Sequence, residues 1–240
     1  MEWKRFRKAV TPHRGWRAFA GEVGVIVLGV LVALGIGEIA EAVRWHNRGE
    51  AARASFNAEF ARNARYFNER GALQPCLERR MEELGDLIRT AQETNRLPAV
   101  RDIGRPSVRP ITTAAWDTTV GNGVTLRMRP EEATELAGLV KMMANYSEWS
   151  ALEQEEWAAL SALEGAERTV SQDSISDMAR TLAVARFRTR AQGVVARQAL
   201  NFIKRRGIAP ASDDDAGTAE QLAAEAANNP VCGSLQLSPP

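Results

Sequence analysis

Apolar and polar positions divide this chain into one continuous apolar run and a series of periodic segments. From Val23 to Gly37 fifteen consecutive residues are uncharged, inside the stretch GEVGVIVLGVLVALGIGEIA at 21–40. On a helix rising about 1.5 Å per residue, Glu22 and Glu38 stand roughly 24 Å apart. That is slightly less than a hydrocarbon core of about 30 Å, so both carboxylates fall near the interfaces of a membrane-spanning helix. Beyond it, Ala52, Phe56, Phe60, Asn63 and Phe67 recur every three or four positions, so the span is expected to continue as an amphipathic helix. Gly71 and Pro75 are expected to interrupt that helix. A second periodic segment, with Leu77, Met81, Leu84 and Ile88, ends near Asn95.

LPAVRDIGRPSVRP at 97–110 reads as loop, because its prolines remove donors and fix the backbone. Thr112 and Thr113 are placed to cap a short helix carrying Trp116 and Val120, and Gly121-Asn122-Gly123 reads as a turn. Pro130-Glu131-Glu132 starts a long helix, with proline in its first turn and acids against its dipole. Leu136, Leu139, Met143, Tyr146, Trp149, Trp157, Leu160 and Leu163 form its apolar stripe. Ser171 to Ser174 caps the last long helix, whose inward positions include Ile175, Met178, Leu182, Val195, Leu200 and Ile203. Lys204-Arg205-Arg206-Gly207 ends it. A short helix near Thr218 to Ala227 follows in the tail. The expected fold class is all-α: an N-terminal transmembrane helix continuing into an antiparallel bundle of long helices.

Charge orients the span. Lys4, Arg5, Arg7, Lys8, Arg14 and Arg17 precede it, against Arg44, Arg48 and Arg53 in the twenty residues after Ala40. The positive-inside rule puts the N-terminus in the cytoplasm and the rest of the chain outside. The expected organisation is a basic cytoplasmic head at 1–20, an anchor at 21–40, a helical extracytoplasmic domain at 41–207 and a C-terminal tail at 208–240. Ala40-Glu41-Ala42 also satisfies the small-x-small pattern of signal cleavage. The long basic head, and a helical pattern running past that site, favour an uncleaved anchor. Composition rich in Ala and Arg, with only Lys4, Lys8, Lys141 and Lys204 as lysines, reads as that of a bacterium with a GC-rich genome, and with the span and its charges the expected location is the inner membrane with a periplasmic domain. With 31 basic against 30 acidic residues the chain has no field that would draw nucleic acid.

Candidate chemistry is sparse. Cys76 and Cys232, in an oxidising compartment, are expected to form a disulfide that ties the tail back. Gly29, Ala33 and Gly37 are spaced four apart and offer a face for close packing of two membrane helices. Trp116, Trp149 and Trp157 are candidates to line a ligand groove, or to fill the bundle core. The acidic groups Glu153, Glu155, Glu156 and Asp213 to Asp215, and the arginines Arg186, Arg188, Arg190 and Arg197, read as solvated faces. The two histidines, His13 and His46, both flank the apolar run, which leaves the serines elsewhere without a base. No catalytic residue, metal or cofactor is therefore expected.

The layout resembles a group of uncharacterised bacterial single-span inner-membrane proteins. The resemblance is carried by the span ending in GVLVALGIGEIAE, by FNAEFARNARYFNERGALQPCLERRMEEL with Gln74, Pro75, Cys76, Arg79 and Arg80, by the cysteine near the C-terminus, Cys232, and by Trp116 in TTAAWDTTV. It implies a membrane-anchored helical domain and brings no activity with it. The expected function is an extracytoplasmic interaction or scaffold protein that is not an enzyme. The alternative is a periplasmic ligand-binding or sensor module working through a membrane partner. Expected partners are the lipid bilayer, a second copy through the membrane helix, and an unknown membrane or periplasmic protein.

Overall fold

A computed structural model of the chain describes residues 15–208 and 219–237. It divides into two compact units, Met1–Ala51 and Ala52–Pro240. Among the described residues five helices and four short strands follow in order: α1 (Trp16–Thr94), β1 (Arg96–Leu97), β2 (Val100–Asp102), α2 (Ala114–Gly121), α3 (Pro130–Leu160), β3 (Arg168–Thr169), α4 (Gln172–Arg205), α5 (Ala219–Ala227) and β4 (Gln236–Leu237). Single 3-10 turns lie at Val124–Arg127, Ser161–Leu163 and Pro230–Cys232. The all-α class is as expected. Among the described residues α1 is the helix long and apolar enough to cross a membrane, by length and composition. The basic residues up to Arg14, and Asp213 to Asp215, lie outside the described residues.

The interruption expected at Gly71 and Pro75 does not occur; α1 runs through both for 79 residues. A proline inside a helix frees the carbonyl four residues back and crowds it. Here that carbonyl belongs to Gly71, which is exposed like Pro75 itself, so water can satisfy it. Leu73 and Leu77 on either side of Pro75 are meanwhile buried, and their packing keeps the helix continuous past the proline. Asn95, with φ 55°, ends α1 in the left-handed region that Asn tolerates.

In the second unit α1, α3 and α4 form a three-helix bundle. Phe67 meets Tyr146 edge-on at 5.1 Å and Arg70 meets Glu153, so α1 and α3 run in the same direction. Arg70 also reaches Thr189 while Met81 is reached by Arg186, so α4 runs against both. The antiparallel arrangement expected holds for α4 but not for α1 and α3, which are parallel because the connection from Asn95 to Arg129 is long and carries the chain back to the start of the domain. The caps expected at α4 are present, since Ser171 Oγ accepts from the Ser174 amide and Gly207 adopts φ 72° after the helix, whereas Thr113 at the start of α2 makes no side-chain capping bond. Two small antiparallel sheets were not expected: β1 with β3 clips the connection after α1 to the one between α3 and α4, and β2 with β4 clips it to the tail. That core contains Leu77, Leu84, Leu97, Ile103, Trp157, Leu163, Leu182 and Val231.

Candidate functional site

A line of polar side chains on α1 organises everything that is not helix. The segment from Ile103 to Trp116 descends along α1, and α1 offers it a partner at each step. Arg80, 1% exposed, donates through Nη1 to the Ile103 carbonyl at 2.6 Å. Glu69 takes Arg109 in a two-bond pair at 2.7 and 3.0 Å. Asn63, fully buried, donates to the Thr112 carbonyl at 2.8 Å and accepts from the Thr112 amide at 3.4 Å. Glu59 accepts from the Ala115 amide at 3.1 Å, and the Phe56 ring lies 6.0 Å from that of Trp116. Asn63 thus behaves as a strand neighbour would, satisfying both backbone groups of one residue of an extended segment.

Arg80 also knots the tail. Its Nη2 donates to the carbonyls of Gly233, at 2.7 Å, and Pro230, at 3.4 Å. Cys76, one turn earlier, is bonded to Cys232, with Cα atoms 4.8 Å apart. Gly104 approaches this knot with φ 69°, where a Cβ would stand 2.7 Å from the Val231 amide nitrogen, so only glycine fits. Burial lowers the readiness of the Arg80 guanidinium to stay charged, while Glu83 beside it, at 2.8 Å, works against that.

A second polar cluster lies in the middle of the bundle. Arg70 makes two 2.8 Å bonds to Glu153 and one of 2.9 Å to the Thr189 carbonyl. Thr189 Oγ1 donates to Glu153 at 2.8 Å, and Gln74 Nε2 donates to the Thr189 carbonyl at 3.2 Å. Glu153 is therefore no solvated acid: at 1% exposure it is the partner of a buried arginine. Arg186 and Arg188 depart from the solvated face too. Arg186 lies across Gly85, where a Cβ would collide with it, and donates to the Met81 carbonyl. Arg188 pairs with Glu156 at 3.0 Å, and burial pushes the Glu156 carboxyl above its ordinary range despite that pairing.

The three tryptophans stand in different surroundings. Trp157 is fully buried in the core, Trp149 lies 6.4 Å from the Phe187 ring near the surface, and Trp116 packs on Phe56. The hollow at the Arg70–Glu153 pair, beneath Pro106 and Val108, encloses about 10 Å³, room for no more than a water. Among the described residues no cluster of three His, Cys, Asp or Glu could hold a metal ion. Gly29 and Gly37 have nothing within 4 Å of a Cβ position, and the whole Gly29, Ala33 and Gly37 face is open.

One surface escaped the sequence reading. Val184 and Phe187 on α4 are 39% and 66% exposed, and Val194 is 43% exposed. Phe187 and Val194, with Ala183 and Ala191, line a shallow hollow of about 440 Å³ edged by Arg186 and Arg190. The signal was present: Val184, Phe187, Ala191 and Val194 follow at intervals of three, four and three, a second apolar stripe on a helix whose first stripe is already buried. Comparison with protein-family models, with curated proteins and with solved structures finds no match to this chain.

Proposed function

We propose that this chain is a single-span membrane protein of the bacterial inner membrane. In this reading its helical domain faces the periplasm and binds a helix of another protein, and it performs no catalysis. The observation that carries the reading is the Phe187 stripe: an apolar row on a bundle whose interior is otherwise filled. Exposed contiguous apolar surface edged by charge is characteristic of protein–protein contact sites. The hollow at Arg70 has no room for a ligand, and the one of about 200 Å³ between α1 and α4 is lined mainly by charged side chains, so an apolar contact fits the α4 surface better than either. In the bilayer, the open face of Gly29, Ala33 and Gly37 would let two copies pack closely.

Two measurements test this. Alkaline phosphatase fused after Gly207 should be active in cells, and an inactive fusion would overturn the periplasmic placement. A photoreactive phenylalanine analogue at Phe187 should give one discrete adduct in intact membranes, while the same analogue at exposed Arg62 gives none. Equal labelling at both positions, or none at Phe187, would defeat the interaction reading.

A further inference from the structure

The segment Val120 to Arg129 is built unlike the rest of the domain surface. Val124 and Met128 turn inward and are buried, yet Leu126 between them is 88% exposed and Val120 is 49% exposed. These ten residues, VGNGVTLRMR, contain two arginines and no acid. Asp117 and Glu131 flank the segment. Arg129 is 82% exposed, and the carboxylate nearest it, Glu132 at 3.8 Å, is already engaged by Arg53 at 3.0 Å.

Contacts within the domain fix where this tip lies. Ala115 is held at Glu59, Trp116 lies at Phe56, and Glu132 beyond the tip is held at Arg53. The residues of α2 thus approach the first residue of the unit, Ala52, and the tip stands at the end of the domain where the chain arrives from the apolar segment. Only twelve positions separate Ala40 from Ala52. A group tethered that closely to a membrane-embedded segment meets the lipid surface at high effective concentration, so a weak insertion is enough to be populated.

We infer that this tip is a lipid-contact site, in which Leu126 and Val120 enter the interface of an anionic membrane while Arg127 and Arg129 meet headgroup phosphates. A leucine presented beside two arginines, Arg127 and Arg129, with its backbone already fixed by buried neighbours, has the composition that interfacial segments use. The inference rests on the membrane-anchored reading above.

The test is amide hydrogen exchange on the full chain in nanodiscs of zwitterionic phospholipid, with and without anionic phospholipid. Amides of 120–129 should exchange roughly tenfold more slowly in the anionic discs, as burial of one leucine side chain implies. Leu126→Asp should abolish that difference and Leu126→Met should keep it. Unchanged exchange around Leu84 would show that either variant is folded. Protection of 120–129 that is the same in both discs, or that survives Leu126→Asp, overturns the lipid contact alone. Rapid exchange of the 23–37 amides in discs would overturn the anchor, and this inference with it.

Discussion

Between Val23 and Ile39 the first helix exposes each of its large apolar side chains, while between Phe56 and Ala91 the same helix buries Arg70 and Arg80 at 5% and 1% exposure. Helical geometry is common to both stretches, so the difference lies in the solvent each is written for. In the first, nothing among the described residues covers the side chains, and an all-round apolar surface fits hydrocarbon. In the second, the apolar stripe meets α3 and α4, and polar residues reach the backbone of segments with no ladder of their own. Buried polarity on α1 is thus a response to the extended chain beside it: Asn63, Glu59 and Arg80 each supply hydrogen bonds that a strand would have supplied.

The sharpest way to break this comparison is to remove charge where it is buried. Arg70→Met leaves Glu153 in the bundle without its cation, and a buried pair broken on one side costs roughly 3–5 kcal/mol. Replacing both, Arg70→Met with Glu153→Met, should recover most of that loss. Urea unfolding of the full chain in mild detergent measures both, and a double variant as weak as the single one would sink the argument.

Placing charge where the apolar surface is exposed sharpens the same contrast. Leu31 and Phe187 are 60% and 66% exposed, but one is proposed to face lipid and the other a periplasmic partner. Leu31→Arg should cost roughly 2.5–3.5 kcal/mol of membrane insertion, read as loss from the carbonate-resistant membrane fraction. Phe187→Arg should leave both insertion and folding within about 0.5 kcal/mol of the parent. Equal behaviour of the two variants would mean that both surfaces see the same medium.

A smaller effect is expected at the tail. Closing a loop between Cys76 and Cys232 is worth roughly 5 kcal/mol in the chain-entropy model, for a sequence separation of 156. Arg80 and the β2–β4 pairing still hold the tail when the bridge is gone. Bridges commonly deliver less than that model gives, so Cys76→Ala with Cys232→Ala should lose about 2–4 kcal/mol and still fold, measured by thermal unfolding beside the oxidised parent.

Much of this frame could be read from residues. Pro130, the Ser171 cap, the Gly207 stop and the cysteine pair all act locally or through simple chemistry, and the structure places them as expected. Continuity through Pro75 could not be read, because it depends on which face of α1 is packed. Glu153 looked like one of three acids in a solvated cluster; only the arrival of Arg70, 83 positions away, makes it a buried partner. The strands of two or three residues carry no alternation to detect and exist only because the connection after α1 meets the α3–α4 connection and the tail. The Phe187 stripe was visible as spacing, and was obscured by the arginines interleaved with it.

The last contrast concerns two glutamates of the same helix. Glu132 is bonded by Arg53 and approached by Arg129 and Arg206, at 3.8 and 3.9 Å. The Arg53 hydrogen bond holds its carboxyl below the ordinary glutamate range, outweighing the desolvation that would raise it. Glu156 is shifted the other way by burial, with Arg188 opposing. A carboxyl depressed in the folded state is protonated more readily when unfolded, so its stabilisation is full above the ordinary value of about 4.3 and is lost as pH falls through the depressed one. A raised carboxyl has the reverse sign: its contribution is present at pH values below the ordinary one and is lost as pH rises through the folded value. Glu132→Gln should therefore flatten the acid side of the stability curve by about 1 kcal/mol, a modest figure because Arg53 is 41% exposed. Glu156→Gln should make that side steeper. Unfolding midpoints in urea from pH 7 down to pH 3 distinguish the two, and parallel curves for both variants would show that the pairing of Glu132 with Arg53 does not set its proton affinity.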